Sequence, residues 1–321
     1  MRSKFIIFLI TLISFLLTMA ETSAINPGQK NPETFDFSGR RAYELIKKQC
    51  AFGPRAPETP GHDKCRRFIR RELESLGLKV HELPFYSHVA LLGKKVRGVN
   101  IMAEYTGDNA TSEILALSAH WDTRPVAEKD PDPAMRRVPI PGANDGASGT
   151  AVLLELARVV TEMGYEGRLL FIFFDLEDSG IQGNPDTWCL GSTHFAENHL
   201  DEYPIEAGIN FDMIGDRDLK VQPELFMLKK APEMTRDFFN LAEKSAPFHF
   251  SSKPLEYVIT DDHTSFLKKN ISYINLIDFN YPHWHTQEDT PDKCSPISLQ
   301  IIGDTALKYL FNRLDILENN P

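Results

Sequence analysis

Basic residues are in the minority in this chain. Thirty-five lysines and arginines stand against 45 acids, and the net charge of -10 leaves no basic face for a nucleic acid partner. Cysteine is scarce as well. Cys50, Cys65, Cys189 and Cys294 are the only four, and none has the tight paired spacing of a cysteine-based zinc site. Three disulfide pairings are conceivable. Cys50–Cys65 would join two N-terminal helices, and four buried or free thiols are the equal alternative. No linker, charge block, internal repeat or low-complexity segment divides the 321 residues, so one large domain is expected. Long apolar runs are missing too, apart from Phe5–Met19, which falls short of the roughly 20 residues a spanning helix needs. Arg2 and Lys4 precede that run and Glu21-Thr22-Ser23-Ala24 follows it, so residues 1–24 read as a signal peptide. The expectation is a domain over 25–321 that is exported, periplasmic or secreted, monomeric and not held at the membrane. No cysteine at the cleavage region indicates a lipid anchor.

Periodicity supplies the elements. Residues 36–50 and 62–76 carry helical patterns, the second with Phe68, Ile69, Leu73 and Leu76 on one face and Gly77 as a stop. Strands are expected over 78–86, 96–105, 113–119, 168–174, 206–211, 223–228 and 272–277, and helices over 150–163, 191–199, 232–245 and 297–317. The Pro-rich loop 124–141 is longer than ordinary connections, which favours a functional or covering role. The alternation predicts an α/β fold: a single domain with a mixed, mostly parallel sheet flanked by helices on both faces. Ligands gather at the C-terminal edge of such a sheet.

The residues that carry chemistry sit at that edge. Phe173-Phe174-Asp175-Leu176-Glu177-Asp178 ends an apolar strand in two adjacent carboxylates, which repel one another and lose hydration unless a cation offsets them. Side chains of neighbours on an extended segment point apart, so one acid can bind metal while the other faces substrate. His120-Trp121-Asp122 offers an imidazole ligand with an acid two residues on to orient it. In Gly142-Ala143-Asn144-Asp145-Gly146-Ala147-Ser148-Gly149 small residues let the backbone pass close to an ion while Asp145 points inward; a plain turn capping the next helix is the bland reading. Asp212 follows a strand and His285 follows Trp284. Each has an ordinary explanation alone, as a turn acid or a packed histidine. Five such residues in order, each at a strand end or tight turn, read together as a zinc site.

In combination, Ser118-Ala119-His120-Trp121-Asp122, the Gly-Ala-Asn-Asp turn, the Glu-Asp pair, Asp212 and His285-Thr286 resemble the zinc aminopeptidase superfamily over residues 36–315. That superfamily includes the animal-type glutaminyl cyclases (glutaminyl-peptide cyclotransferases). Trp284 before His285 and the Asp261-Asp262-His263 run are similar to the cyclases, and Trp188-Cys189-Leu190-Gly191-Ser192 looks like their bacterial members. The Gly-Ala-Asn-Asp turn is more aminopeptidase-like, and Asp178 stands where many aminopeptidases have Glu.

The resemblance implies cyclisation of N-terminal glutamine in peptides or proteins to pyroglutamate, with release of ammonia. It implies Asp145, Asp178 and His285 as ligands of Zn²⁺, and Glu177 as the acid/base. Asp262 is expected to hydrogen-bond Glu177, Asp212 to lie near the substrate amine, and Trp188 and Trp284 to shape the pocket. His120, with Asp212 and Asp122, belongs to a possible second metal site. The alternative is an aminopeptidase in which Glu177 activates water at one or two zinc ions. A non-enzymatic binding ectodomain would have lost metal ligands, whereas this chain keeps all five.

Overall fold

Strand β3 (Ile114–His120) is the hinge of the architecture. Chain order leads from it first to β4 (Arg168–Phe174) on one side and then to β5 (Ile205–Asp212) on the other. In this computed structural model residues 36–108, 110 and 113–319 are described; the expected signal segment 1–24 lies outside them. The six-stranded sheet runs β1-β2-β4-β3-β5-β6, with β1 Lys79–Val89, β2 Lys94–Thr106 and β6 Ser272–Ile277. Strands β4, β3, β5 and β6 are parallel, and β1 and β2 join by antiparallel pairing. The expected mixed, mostly parallel sheet is therefore present. His120 and Asp212 end their strands at its C-terminal edge, at the point where the strand order reverses and where α/β sheets bind ligands.

The helices are α1 (Gly39–Cys50), α2 (Pro60–Ser75), α3 (Ala147–Met163), α4 (Leu190–Asn198), α5 (Leu225–Lys230), α6 (Pro232–Ser245), α7 (His263–Leu267) and α8 (Pro296–Asn319). Helix α3 lies on the Ala119 face of β3, where a side chain on Gly149 would meet the Phe211 carbonyl oxygen at 2.0 Å and Ala119 Cβ at 3.1 Å. Helix α7 lies on the opposite face: Phe266 stacks on Tyr273, whose hydroxyl donates to Ser118 Oγ at 2.9 Å. The contact at Gly149 gives a stability test. Gly149→Ala drives a methyl into backbone that cannot yield, so a loss of about 3 kcal/mol or more is expected by urea unfolding, at the upper end of overpacking costs. A change under about 1 kcal/mol would mean that the helix slides freely on the sheet.

One expected element is wrong. Residues 223–228 form no strand; Leu225–Lys230 is helical, with the Glu224 carboxylate capping it by accepting from Phe226 N at 2.6 Å and Met227 N at 2.5 Å. The run Leu225-Phe226-Met227-Leu228 contains no β-branched residue, and a short apolar run does not distinguish strand from helix. The four cysteines are free thiols, which decides between bridges and thiols. Among the described residues no helix is long and apolar enough to cross a membrane.

Candidate functional site

The acid pair after β4 diverges. Asp178 Oδ1 turns to His285 Nε2 at 3.1 Å, while Glu177 Oε1 turns to Cys189 Sγ at 3.2 Å. Their backbone is held by Asp122, whose two oxygens accept from Glu177 N at 3.2 Å and Asp178 N at 3.3 Å. Asp122 also stands 3.5 Å from His120 Nδ1, beside the imidazole it was expected to orient, while joining neither donor group below.

Asp145, Asp178 and His285 offer ligand atoms within 4.8 Å of one another, all three buried. His120, Asp145 and Asp212 form a second such group sharing Asp145; His120 Nε2 is 3.2 Å from Asp145 Oδ1 and 3.1 Å from Asp212 Oδ1. A glycine is required at 146, because a Cβ there would lie 2.5 Å from the His120 ring. Neither Asn144 nor Asp145 caps α3, whose first residue follows Gly146 with no side-chain cap. The bland reading of that turn therefore fails, and Asn144 Oδ1 instead accepts from Gly215 N at 2.7 Å.

Two further carboxylates complete the bracing, and neither was visible in the sequence pattern. Asp289 accepts from Asn144 N at 2.8 Å and Asp145 N at 3.1 Å, and from the Tyr281 hydroxyl at 2.8 Å. Glu128 lies 2.8 Å from His285 Nδ1 and takes Arg124 Nε at 2.7 Å. Fixing the far nitrogen leaves His285 Nε2 free to bind. Glu128 comes from the long 124–141 loop, whose length was the one available hint.

Electrostatically the site wants a cation. Burial alone would lower the pKa values of His120 and His285, yet the surrounding carboxylates raise both, His285 to about 9 and His120 well above its ordinary value. Asp145 Oδ2, Asp178 Oδ2 and His120 Nδ1 are buried without a hydrogen-bond partner. Carboxylates that draw protons onto neighbouring imidazoles, with oxygens left unpaired, fit a divalent ion well. Burial, reinforced by Asp178, Asp261 and Asp262, also raises Glu177 well above the carboxylate range, against the attraction of His120.

The expected Asp262–Glu177 hydrogen bond is not formed. Both Asp262 oxygens are buried and unpartnered. The neighbouring Asp261 has an oxygen within 4.8 Å of the Glu177 and Cys189 ligand atoms, and it is held by Asn210 at 3.1 Å and Asn275 at 2.7 Å. Adjacent acids entering a short helix point in different directions, and their order alone could not say which faces the base.

Trp188 and Trp284 flank His285, with ring centroids 6.0 and 4.1 Å from the imidazole. Arg124 lies 4.6 Å over Trp188, and Lys129 lies 3.3 Å over Trp284. Both indoles line a cavity of about 300 Å³ with Asp145, Glu177, Asp178 and Asp212. Four non-glycine residues beside it, Leu176, Cys189, Met213 and His285, have left-handed backbone, a kind of strain that clusters at functional sites.

The sequence profile of peptidase family M28 matches residues 100–310. Among solved structures, the chain is similar to the glutaminyl cyclase of Porphyromonas gingivalis, at 33% identity and a TM-score of 0.82 over 87% of this chain and 100% of that one. A structure titled leucine aminopeptidase precursor, from Bacteroides thetaiotaomicron, matches at 34% identity and a TM-score of 0.80 over 86% and 97%. The glutaminyl-peptide cyclotransferase of Drosophila melanogaster is 27% identical over 263 residues, 74% of this chain and 70% of that protein.

Proposed function

The chain belongs to peptidase family M28, and within it we propose an exported, zinc-dependent glutaminyl-peptide cyclotransferase that converts the N-terminal glutamine of peptides and proteins to pyroglutamate with release of ammonia. The observation that carries this reading is the indole-walled cavity around the three-donor group. An uncharged glutamine side chain suits apolar packing with a few aimed polar groups.

Two carboxylates and one imidazole match a catalytic zinc site with one open position; Asp145, Asp178 and His285 would hold the ion, which when bound supplies Lewis acidity toward the γ-carboxamide oxygen. The protein's own groups do the rest. Glu177, on the cavity wall, takes a proton from the attacking α-amine and returns it to the leaving nitrogen. Its raised pKa lets it hold that proton between the two transfers. Asp212 lines the same cavity and faces the amino end of the substrate. Trp188 and Trp284 keep the side chain bent toward its own amine, so the step is intramolecular and needs no positioned water.

A second reading has its own observation. His120, Asp145 and Asp212 form a donor group that shares Asp145 with the first, as a two-metal aminopeptidase requires, with Glu177 then activating water. Purified protein given a glutaminyl peptide should release ammonia and leave a product lighter by one ammonia, and it should leave leucyl dyes intact. Dye release from leucyl substrates without ammonia from glutaminyl ones would replace the cyclase by the peptidase.

A further inference from the structure

Glu177 has a partner that the proposed chemistry does not use. The loop that leaves it returns twelve residues later, where Cys189 N donates to the Glu177 carbonyl at 3.0 Å and Leu190 N to the Leu176 carbonyl at 3.1 Å. Cys189 takes a left-handed backbone there, with φ of 55°, and its Sγ lies 3.2 Å from Glu177 Oε1. Both side chains are buried. Burial and the nearby charges of Glu177, Asp262 and Asp261 keep the thiol protonated, so it is a donor and not a thiolate.

We infer that Cys189 is a positioning residue: its S–H donates to Glu177 Oε1 and holds the base in the orientation that serves the substrate amine. A thiol suits this place. It is a weak donor, so it steers the carboxylate without drawing down its basicity as a cationic or amide donor would. Neither Asp261 nor Asp262 takes this place: the Asp261 oxygens accept from Asn210 and Asn275, and those of Asp262 make no hydrogen bond to Glu177. The left-handed backbone at 189 and the two main-chain bonds fix where Cβ sits, so the fold itself brings the thiol within reach of Glu177.

The inference rests on Glu177 being the base, in the cyclase or the peptidase reading alike. Cys189→Ala and Cys189→Ser are therefore compared with the unaltered protein on whichever substrate that protein turns over, after zinc content and thermal unfolding show the variants folded and loaded. With Cys189→Ala, kcat should fall about tenfold while KM changes less than about twofold, since the variant loosens a group that acts on the reacting atoms and not on ground-state binding. Cys189→Ser keeps a donor and should recover to within about threefold of the original kcat. Full activity of both variants overturns the inference. Equal impairment of both also overturns it, because the sulfur then fills space instead of donating. A silent unaltered protein on glutaminyl peptides, with normal turnover of leucyl substrates, refutes the cyclase reading alone.

Discussion

Glu177→Gln should lower turnover by about a thousandfold, within the span that general acid–base groups contribute, while leaving zinc content and fold intact. The substitution keeps the shape of the side chain and removes only its ability to carry a proton. Glu177 is not one of the three donors grouped around Asp145, Asp178 and His285, so metal retention is expected. Stability should not fall. The folded-state pKa of Glu177 lies above its unfolded value because burial, Asp178, Asp261 and Asp262 penalise the charge. A group shifted upward stabilises the fold below its unfolded pKa, and that contribution is lost as pH rises through the folded value. Whenever it is ionised, the buried carboxylate is therefore a cost that glutamine does not carry. Kinetics, metal analysis and a melting curve on the same sample give the answer. A variant keeping more than about a tenth of the turnover would mean that another group moves the proton.

This separation of base from ligands was partly legible in the sequence. Two acids in a row so soon after the apolar run Phe171-Ile172-Phe173-Phe174 need different surroundings; alternation along an extended segment was expected to supply them, but residues 175–178 bend, with a left-handed Leu176, and the bend separates them instead. In the structure the acids do diverge, one toward His285 and one toward Cys189. The sheet was legible for a similar reason, since strands β3 and β4 are buried along almost their whole length and read as unbroken apolar runs. The braces were not. Asp289 sits in Glu288-Asp289-Thr290-Pro291, which reads as a solvated turn, and Glu128 sits among the charges of a surface-like loop. Only the fold shows that each serves a site residue about 145 to 157 positions away in the chain. Asp122 was read as a partner of His120, two residues before it, and does stand beside it; its hydrogen bonds to the segment that follows the neighbouring strand β4 had no such local cue. Side chains whose task is to satisfy another segment's backbone leave no local pattern, so their role follows the topology and not the spacing.

Removing divalent ions should abolish turnover and change how the protein answers to pH, and zinc should reverse both. Without a cation, the carboxylates around Asp145 and Asp178 draw a proton onto His285, whose pKa rises from 6.5 to about 9 despite its burial, and His120 is driven upward in the same way by Asp212, Asp122 and Asp145. The sign follows from linkage. A histidine with a raised folded-state pKa adds stability that is complete below about 6.5 and is lost as pH climbs to about 9. Metal-free protein should therefore melt at progressively lower temperature across that interval. Metal-loaded protein should hold level there, because an imidazole bound to the ion has no proton to lose. Loading zinc at pH 7 must then expel protons, measurable by titrating the metal-free protein calorimetrically in two buffers of different ionisation enthalpy. Release of about one proton or more per bound ion is expected if His285 is a ligand. Binding with no proton release at pH 7, or a metal-free melting temperature that stays level from pH 6.5 to 9, would place the ion away from His285.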